Sequence, residues 1–422
     1  MTCESTLTCA RQRNNRHFAC GCRPARLSDR MRILSERDAD SLPTRVLERC
    51  DTLSERPAVT TPSPQPEFAA ISELGRKIGH GWPRIESAAT EARTRREELS
   101  TRFEQKRLVP ADTSVVVFGS LARGEWTAGS DVDWTLLVDG AADQEHLTVT
   151  HLIRKELEEL KLNPPGRTAV FGGVTFSHEL IHRIGGDADT NRNTTQRILL
   201  LLESSAVANR VVRDRVVRTL LNRYLTDDYG YHALEKFKIR VPRFLLNDIV
   251  RYWRTMAVDF AAKQRERDGA GWALRNIKLR MSRKLIFAAG LAMCLDCQLH
   301  PSAQLSAGAF ASEADFYSAL TEHLMGFADQ PPLDLLASVT LKFGGGSAAG
   351  AEILDAYEQF LELLSDKDKR SHLEGLKREE AVGDDLFVGA RSIAENFQRG
   401  LSRFFFATDA KLTDAAQRYG VF

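Results

Sequence analysis

The sequence predicts an α/β fold of the α+β kind: a small mixed β-sheet core followed by an all-α helical domain. Three observations carry this expectation. The run Val115-Val116-Val117-Phe118 and the run Trp134-Thr135-Leu136-Leu137-Val138 have the apolar, partly β-branched composition of buried strands. An amphipathic helical period precedes them. Beyond about residue 190, almost every segment carries the helical period, as expected of an α/β module with a helical partner.

The bulk properties narrow the class. At 422 residues the chain can build two or three domains with sizeable cores. A net charge of +1 and a hydrophobic fraction of 43% call for neither a nucleic acid nor a membrane as partner. No sequence-specific DNA binding is expected. The longest uncharged apolar run, Leu285 to Leu295, is far short of a bilayer span. No N-terminal apolar h-region is seen, and the expected setting is a reducing cytoplasm. Five of the seven cysteines (Cys3, Cys9, Cys20, Cys22 and Cys50) lie in the first fifty residues. Cys294 and Cys297 have CxxC spacing, but a zinc ribbon needs a second pair and only His300 is near. They read as small hydrophobes at the end of a buried helix.

In chain order, residues 1–66 form a basic, Pro-rich extension. Arginines crowd its start, Pro57, Pro62, Pro64 and Pro66 close it, and no apolar period runs through it. It reads as disordered, as a basic arm, or as the product of a start upstream of Met31. A core domain with leading helices is expected over 67–230 and a helical domain over 231–422. Ile71, Leu74 and Ile78 share one helical face, and Ile85, Ala88, Ala92, Leu99 and Phe103 another after Pro83. After Val138, Leu147, Leu152, Ile153, Leu157 and Leu160 mark a helix that Asn163-Pro164-Pro165-Gly166 stops. Ala169–Phe176 reads as a third strand. Asp189-Thr190-Asn191 offers N-cap chemistry to a helix with Ile198, Leu199, Leu202 and Val207. Further helices are expected over 210–225, 242–267, 272–297, 313–327, 333–342, 349–364 and 386–407.

The chemistry concentrates between the two strands. Gly119-Ser120 breaks the first, and Asp131 and Asp133 flank Val132 just before the second. Residues at i and i+2 of extended chain point to one face, so the two carboxylates converge. Like charges held that close are costly without a cation. Magnesium favours oxygen ligands drawn from one or two carboxylates and substrate phosphates, and two such ions can stabilise attacking and leaving oxygens. Gly119 allows a close backbone approach to phosphates, Ser120 offers a hydroxyl, and Arg123 a charge-assisted contact.

Gly119-Ser120-Leu121-Ala122-Arg123-Gly124-Glu125, ending in Ser130-Asp131-Val132-Asp133, resembles the signature of polymerase-β-like nucleotidyltransferases. In style it is similar to protein uridylyl- and adenylyltransferases and their bacterial relatives. The specific match spans about twenty residues. The resemblance implies a mixed sheet carrying the aspartates, Mg²⁺, an NTP donor, and transfer of an NMP to a hydroxyl of a protein, an RNA or a nucleotide. It also implies a third carboxylate from a later strand, with Glu179 first, then Asp187 and Asp189. His178 and His182 flank that region, and His178 is a candidate for proton transfer. Basic residues of a helical domain often complete the triphosphate pocket in this architecture. Lys278, Arg280 and Lys284 are the candidates, while Asn247, Arg251 and Arg254 form a polar stripe on the preceding helix.

Two other readings share these residues: synthesis of cyclic or linear oligonucleotide messengers, and a non-catalytic nucleotide sensor or toxin-neutralising partner. Gly344-Gly345-Gly346-Ser347 lacks the lysine of a P-loop, and Phe404-Phe405-Phe406 reads as core. No regulatory tandem domain or HD-type phosphohydrolase motif is seen.

Overall fold

The computed structural model describes residues 68–166, 170–228, 237–266 and 269–420, and these fall in one compact unit. The extension over 1–66, and the start of the third strand at Ala169, lie outside the described residues.

Two helices lead, α1 (Ala69–Ile78) and α2 (Pro83–Gln105). β1 (Thr113–Val117) follows, then the short α3 (Gly119–Arg123), β2 (Trp134–Val138) and α4 (Glu145–Glu159). β3 (Gly173–Phe176) runs directly into α5 (Ser177–His182). α6 (Asn191–Leu202) is capped as its sequence suggests, with the Asn193 amide donating to the Thr190 hydroxyl at 3.2 Å. One element departs from the helical expectation. Ser205–Ala208 is a strand, β4, so Val207 belongs to the sheet rather than to a helix face. A four-residue edge strand is too short to show a period of its own.

The sheet order is β3-β2-β1-β4. β1 pairs antiparallel with β2 (Val117 opposite Trp134) and with β4 (Val117 opposite Ser205), while β2 and β3 are parallel. Both faces are covered, which explains the near-continuous apolar runs. Val115, Val117, Leu136 and Val138 pack with α2 and α4, and Val116, Phe118 and Leu137 belong to the larger core with α6. Two residues of the expected α4 face, Leu147 and Leu152, instead point outward, as does Ile78.

The helical remainder follows the sequence closely: α7 (Arg210–Thr226), α8 (Arg243–Glu266) and α9 (Trp272–Lys278). A π-helical turn over Leu279–Arg283 leads into α10 (Lys284–Leu299). Then come α11 (Ala303–Ser306), α12 (Glu313–Ala328), α13 (Pro332–Leu341), α14 (Gly346–Ser365), α15 (Lys367–Gly375), α16 (Arg378–Ala381), α17 (Asp385–Ala407) and α18 (Ala410–Ala415). The leading helices pack into this array. The Ile71 amide donates to Asp334 of α13, and Trp82 to Asp355 of α14.

Cys294 and Cys297 are buried thiols of the core. Phe404 and Phe405 are core, whereas Phe406 is exposed. Among the described residues, Trp272–Ser306 is the one helix long and apolar enough to cross a membrane, and 67% of its most apolar window is buried inside the protein. Leu285–Leu295 is thus part of a longer apolar stretch than its uncharged residues mark out.

Candidate active site

The strand directions bring one set of residues to one end of the sheet. β1 ends there, and β2 and β4 begin there. Phe118 closes β1 by donating its amide to the Asp133 carbonyl at 2.8 Å, locking the two central strands at that point. Val132 is fully buried in the core while Asp131 is exposed. The alternation of extended chain therefore aims Asp131 and Asp133 together, away from the core. The Val132 amide donates to the Asn163 carbonyl at 3.0 Å, which fixes the segment from the other side.

Gly119 has φ +66°, and a Cβ there would sit 3.1 Å from Asp133 Oδ2. Only glycine takes that conformation and that proximity without strain. The backbone at Gly119-Ser120 thus lies directly against the Asp133 carboxylate. The loop to Asp131 is held by Thr127 and Ser130: the Thr127 amide donates to Ser130 Oγ at 3.1 Å, and the Ser130 amide to the Thr127 carbonyl at 2.9 Å.

A third carboxylate does reach this end of the sheet, but it is Glu203. It follows α6 and stands two residues before the start of β4, whose first residue lies opposite the last of β1. Its side chain is almost fully buried, ion-paired to Arg123 and 3.4 Å from Arg283. Glu179 stands elsewhere. β3 runs parallel to β2, so whatever follows β3 lies at the end of β2 remote from Asp131 and Asp133. Five strand residues separate the two ends, about 16 Å. There Glu179 is half-exposed and pairs with Arg183 at 3.5 Å. His178 and His182 accompany it, ring centroids 4.8 Å apart. Asp187 is exposed. Asp189 is buried in a bracing network, holding Arg197 by two 3.0 Å hydrogen bonds and Arg251 at 2.7 Å, with Asp248 and Tyr224 completing it.

Arg123, expected as a phosphate contact, lines the cavity beside Gly119 and Asp133, with its guanidinium engaged by protein carboxylates. It is buried between Glu125 (Nε to Oε2, 2.8 Å) and Glu203, and Glu125 is held in turn by the Tyr357 hydroxyl of α14 at 2.7 Å. These acids hold Arg123 well above the usual guanidinium range despite burial. Its donors face protein carboxylates, so it positions Glu203.

The far wall comes from the helical part. A cavity of about 90 Å³ is lined by Gly119, Ser120, Asp131, Asp133, Lys278, Arg283 and Arg370, among others. It opens past Asp131, Lys278 and Arg370 into a second space of about 570 Å³. Lys278 and Arg283 are about 140° apart on an ideal α-helix at 100° per residue. The π-helical turn between them, with i→i+5 bonding and more residues per turn, narrows that angle, and both line the cavity. Arg280 and Lys284 face elsewhere: Arg280 donates to Asn276 at 2.9 Å and Lys284 to Gln398 at 2.6 Å. Arg370, on α15, donates to Thr127 Oγ1 at 3.2 Å. It lies flat on the loop because Gly129 has no Cβ, which would sit 2.8 Å from its guanidinium.

The electrostatics are unbalanced at the centre. No protein group donates to or pairs with the Asp131 or Asp133 carboxylate among the described residues. Burial pushes the Asp133 carboxyl up to about 6, against the pull of Arg283 and with Glu203 and Asp131 adding to the rise. Burial, with Arg370 adding, lowers the Lys278 ammonium to about 8 while Asp131 opposes.

Residues 96–166, 71 of the 422, match the family model of the nucleotidyltransferase domain. The chain carries a nucleotidyltransferase domain. Such a domain implies an NTP substrate. No curated protein and no solved structure matches the chain. The match covers Gly119, Ser120, Asp131 and Asp133, and stops before Glu203, Lys278, Arg283 and Arg370. Glu203 was recognisable in sequence only as an acid beside the unrecognised strand β4. Arg370 sits on a helix with little apolar period, and Arg283 shares the face of Lys278 only because of the π-helical turn, which α-helical periodicity does not reveal.

The donor set of the nucleotidyltransferase domain suits a hard divalent cation. Two unpaired carboxylates converge beside a backbone turn and an open cavity, one with its proton affinity raised. Among the described residues no three acidic, histidine or cysteine side chains form a group able to hold a metal ion. Asp131 and Asp133 would be the protein's ligands, and the remaining ligands would come from phosphate and water, the habit of Mg²⁺.

Proposed function

We propose that this nucleotidyltransferase moves an NMP from an NTP to an acceptor hydroxyl, in a Mg²⁺-dependent reaction that releases pyrophosphate. One observation carries the reading. Two unpaired carboxylates and a Gly-Ser turn face three cations of the helical part, Lys278, Arg283 and Arg370, across a single cleft.

In this reading the cleft binds by charge and shape. The Gly119-Ser120 backbone and hydroxyl meet the phosphates at close range. Arg283 and Arg370 orient phosphate oxygens as planar donors. Lys278, which pairs with no carboxylate among the described residues, meets the charge that develops on the leaving pyrophosphate. Asp131 and Asp133 would hold Mg²⁺, one ion or two, and the cation would supply neutralisation of phosphate charge. Arg123, braced through Glu125 by Tyr357, keeps Glu203 at the edge of the site. The larger space beyond Asp131 has room for the nucleoside and for the approach of an acceptor. The motif style favours a protein side chain as acceptor, over an RNA end or another nucleotide.

Incubation with Mg²⁺ and each α-labelled NTP, with and without cell lysate, tests the reading by following pyrophosphate and label. Label on protein is expected. Small labelled oligomers would point to messenger synthesis. Nucleotide binding without pyrophosphate release would point to a sensor. Asp131→Ala and Asp133→Ala are each expected to abolish turnover, and near-normal activity in either would overturn the metal assignment.

A further inference from the structure

Lys284 and Arg280 were expected to serve phosphate, and the fold turns both away from the cleft. Lys284 instead stands at a separate cavity of about 260 Å³ between α8, α10, α17 and the C-terminal turn beyond α18. Its walls are apolar. Trp253 and Phe287 form one side with their rings stacked at 5.7 Å and 27°, and Leu291, Leu401 and Phe405 form the floor. Phe406, 46% exposed, stands at the rim.

The polar groups of this cavity are few, and Lys284 is the charged one among them. The Lys284 ammonium donates to the Gln398 side chain at 2.6 Å, and Gln398 donates to Ser402 at 3.0 Å. Among the described residues no acidic side chain lines the cavity. Among the described residues no carboxylate pairs with Lys284, or with Arg280 one helical turn before it, whose guanidinium donates to the neutral Asn276. Burial and the neighbouring Arg280 charge both lower the Lys284 ammonium, to about 8. A half-buried cation with only a neutral amide partner, at the mouth of an apolar, aromatic-walled space, lacks its counter-charge. Ligand cavities share this design: apolar walls bury the body of the ligand, and a few placed polar groups select its head.

We propose that this cavity is a second ligand site, separate from the nucleotide cleft, for a small amphipathic anion with a flat or flexible apolar body and one acidic head. The body would lie against Trp253 and Phe287, and the head would take the Lys284 ammonium in place of Gln398.

Fluorescence titration of the full chain with two probes of matched body tests this. One is 8-anilinonaphthalene-1-sulfonate, the other the neutral N-phenyl-1-naphthylamine. Lys284→Met is expected to weaken the sulfonate about tenfold, the size of one charge-assisted contact, and to leave the neutral probe within twofold. Ser402→Trp, which fills the mouth, should remove both probes while the thermal transition stays in place. Equal loss of both probes, or of neither, in the Lys284→Met protein would overturn the assignment of the head. Full binding by Ser402→Trp would place the probes elsewhere and overturn the site. A dimer that dissociates as probe binds, followed by sedimentation, would assign the cavity to a second copy of the chain instead. The Lys284→Met comparison leaves the apolar walls intact, so it stands even where Ser402→Trp fails to fold.

Discussion

Asp133→Asn tests the electrostatic core of the site without reference to any substrate. The Asp133 carboxyl rises from 3.8 to about 6 on folding. That rise corresponds to about 3 kcal/mol at 1.36 kcal/mol per pH unit, carried by the protein whenever the group is ionised. Asp133 borders an open cavity, so water offsets part of this, and roughly 1–2 kcal/mol is a fair expectation. Because the folded value lies above the unfolded one, the folded state binds more protons between pH 4 and 6. The cost is therefore fully present above pH 6 and vanishes below about pH 4. Replacing the ion with a neutral amide of the same shape breaks no hydrogen bond, since none reaches that carboxylate among the described residues. In urea denaturation without divalent ions, Asp133→Asn should be the more stable protein by about 1–2 kcal/mol at pH 7.5 and equal to the parent near pH 4. Adding Mg²⁺ should stabilise the parent and leave the variant unchanged. A variant that is less stable at pH 7.5, or whose advantage is the same at both pH values, would refute the reasoning.

Other expectations follow from the same geometry. Glu203→Gln should destabilise the protein by about 3 kcal/mol, because it leaves Arg123 buried and Arg283 half-buried with a lost partner, and should impair transfer. Glu179→Ala, which breaks only an exposed pair with Arg183, should change stability by less than about 0.5 kcal/mol and leave transfer intact; the opposite order in a paired assay would restore Glu179 as third carboxylate. Lys278→Met should weaken NTP binding roughly ten- to hundredfold in calorimetry, the range for a hydrogen bond to a charged group. The folded Lys278 ammonium at about 8 lies below its ordinary 10.5, so nucleotide-free protein should gain stability as pH rises between those values, and Lys278→Met should flatten that slope. Gly119→Ala should cost about 1–2 kcal/mol in unfolding experiments through its left-handed φ, and should slow transfer by displacing the Asp133 carboxylate.

Much of this was legible in the residues. The strands at Val115–Val117 and Trp134–Val138, the turn at Gly119-Ser120, the acidic pair and the long helices all write themselves in local composition and period. Local signals fail where a partner decides the outcome. β4 is a strand because β1 lies beside it, not because Ser205–Ala208 demands it. Leu147 and Leu152 fit a helix face by period, yet nothing packs over them.

By itself, then, the sequence determined the acidic pair and the turn beside it, because i, i+2 alternation and the freedom of glycine are properties of a few adjacent residues. The tertiary structure decided which groups share the site with them. The parallel pairing of β3 with β2 sent Glu179 to the far end of the sheet, and the antiparallel pairing of β4 with β1 brought Glu203 to the near one. One π-helical turn brought Arg283 to the cleft beside Lys278. Such choices depend on strand direction and helix register summed over dozens of residues, and no short stretch of sequence records that sum.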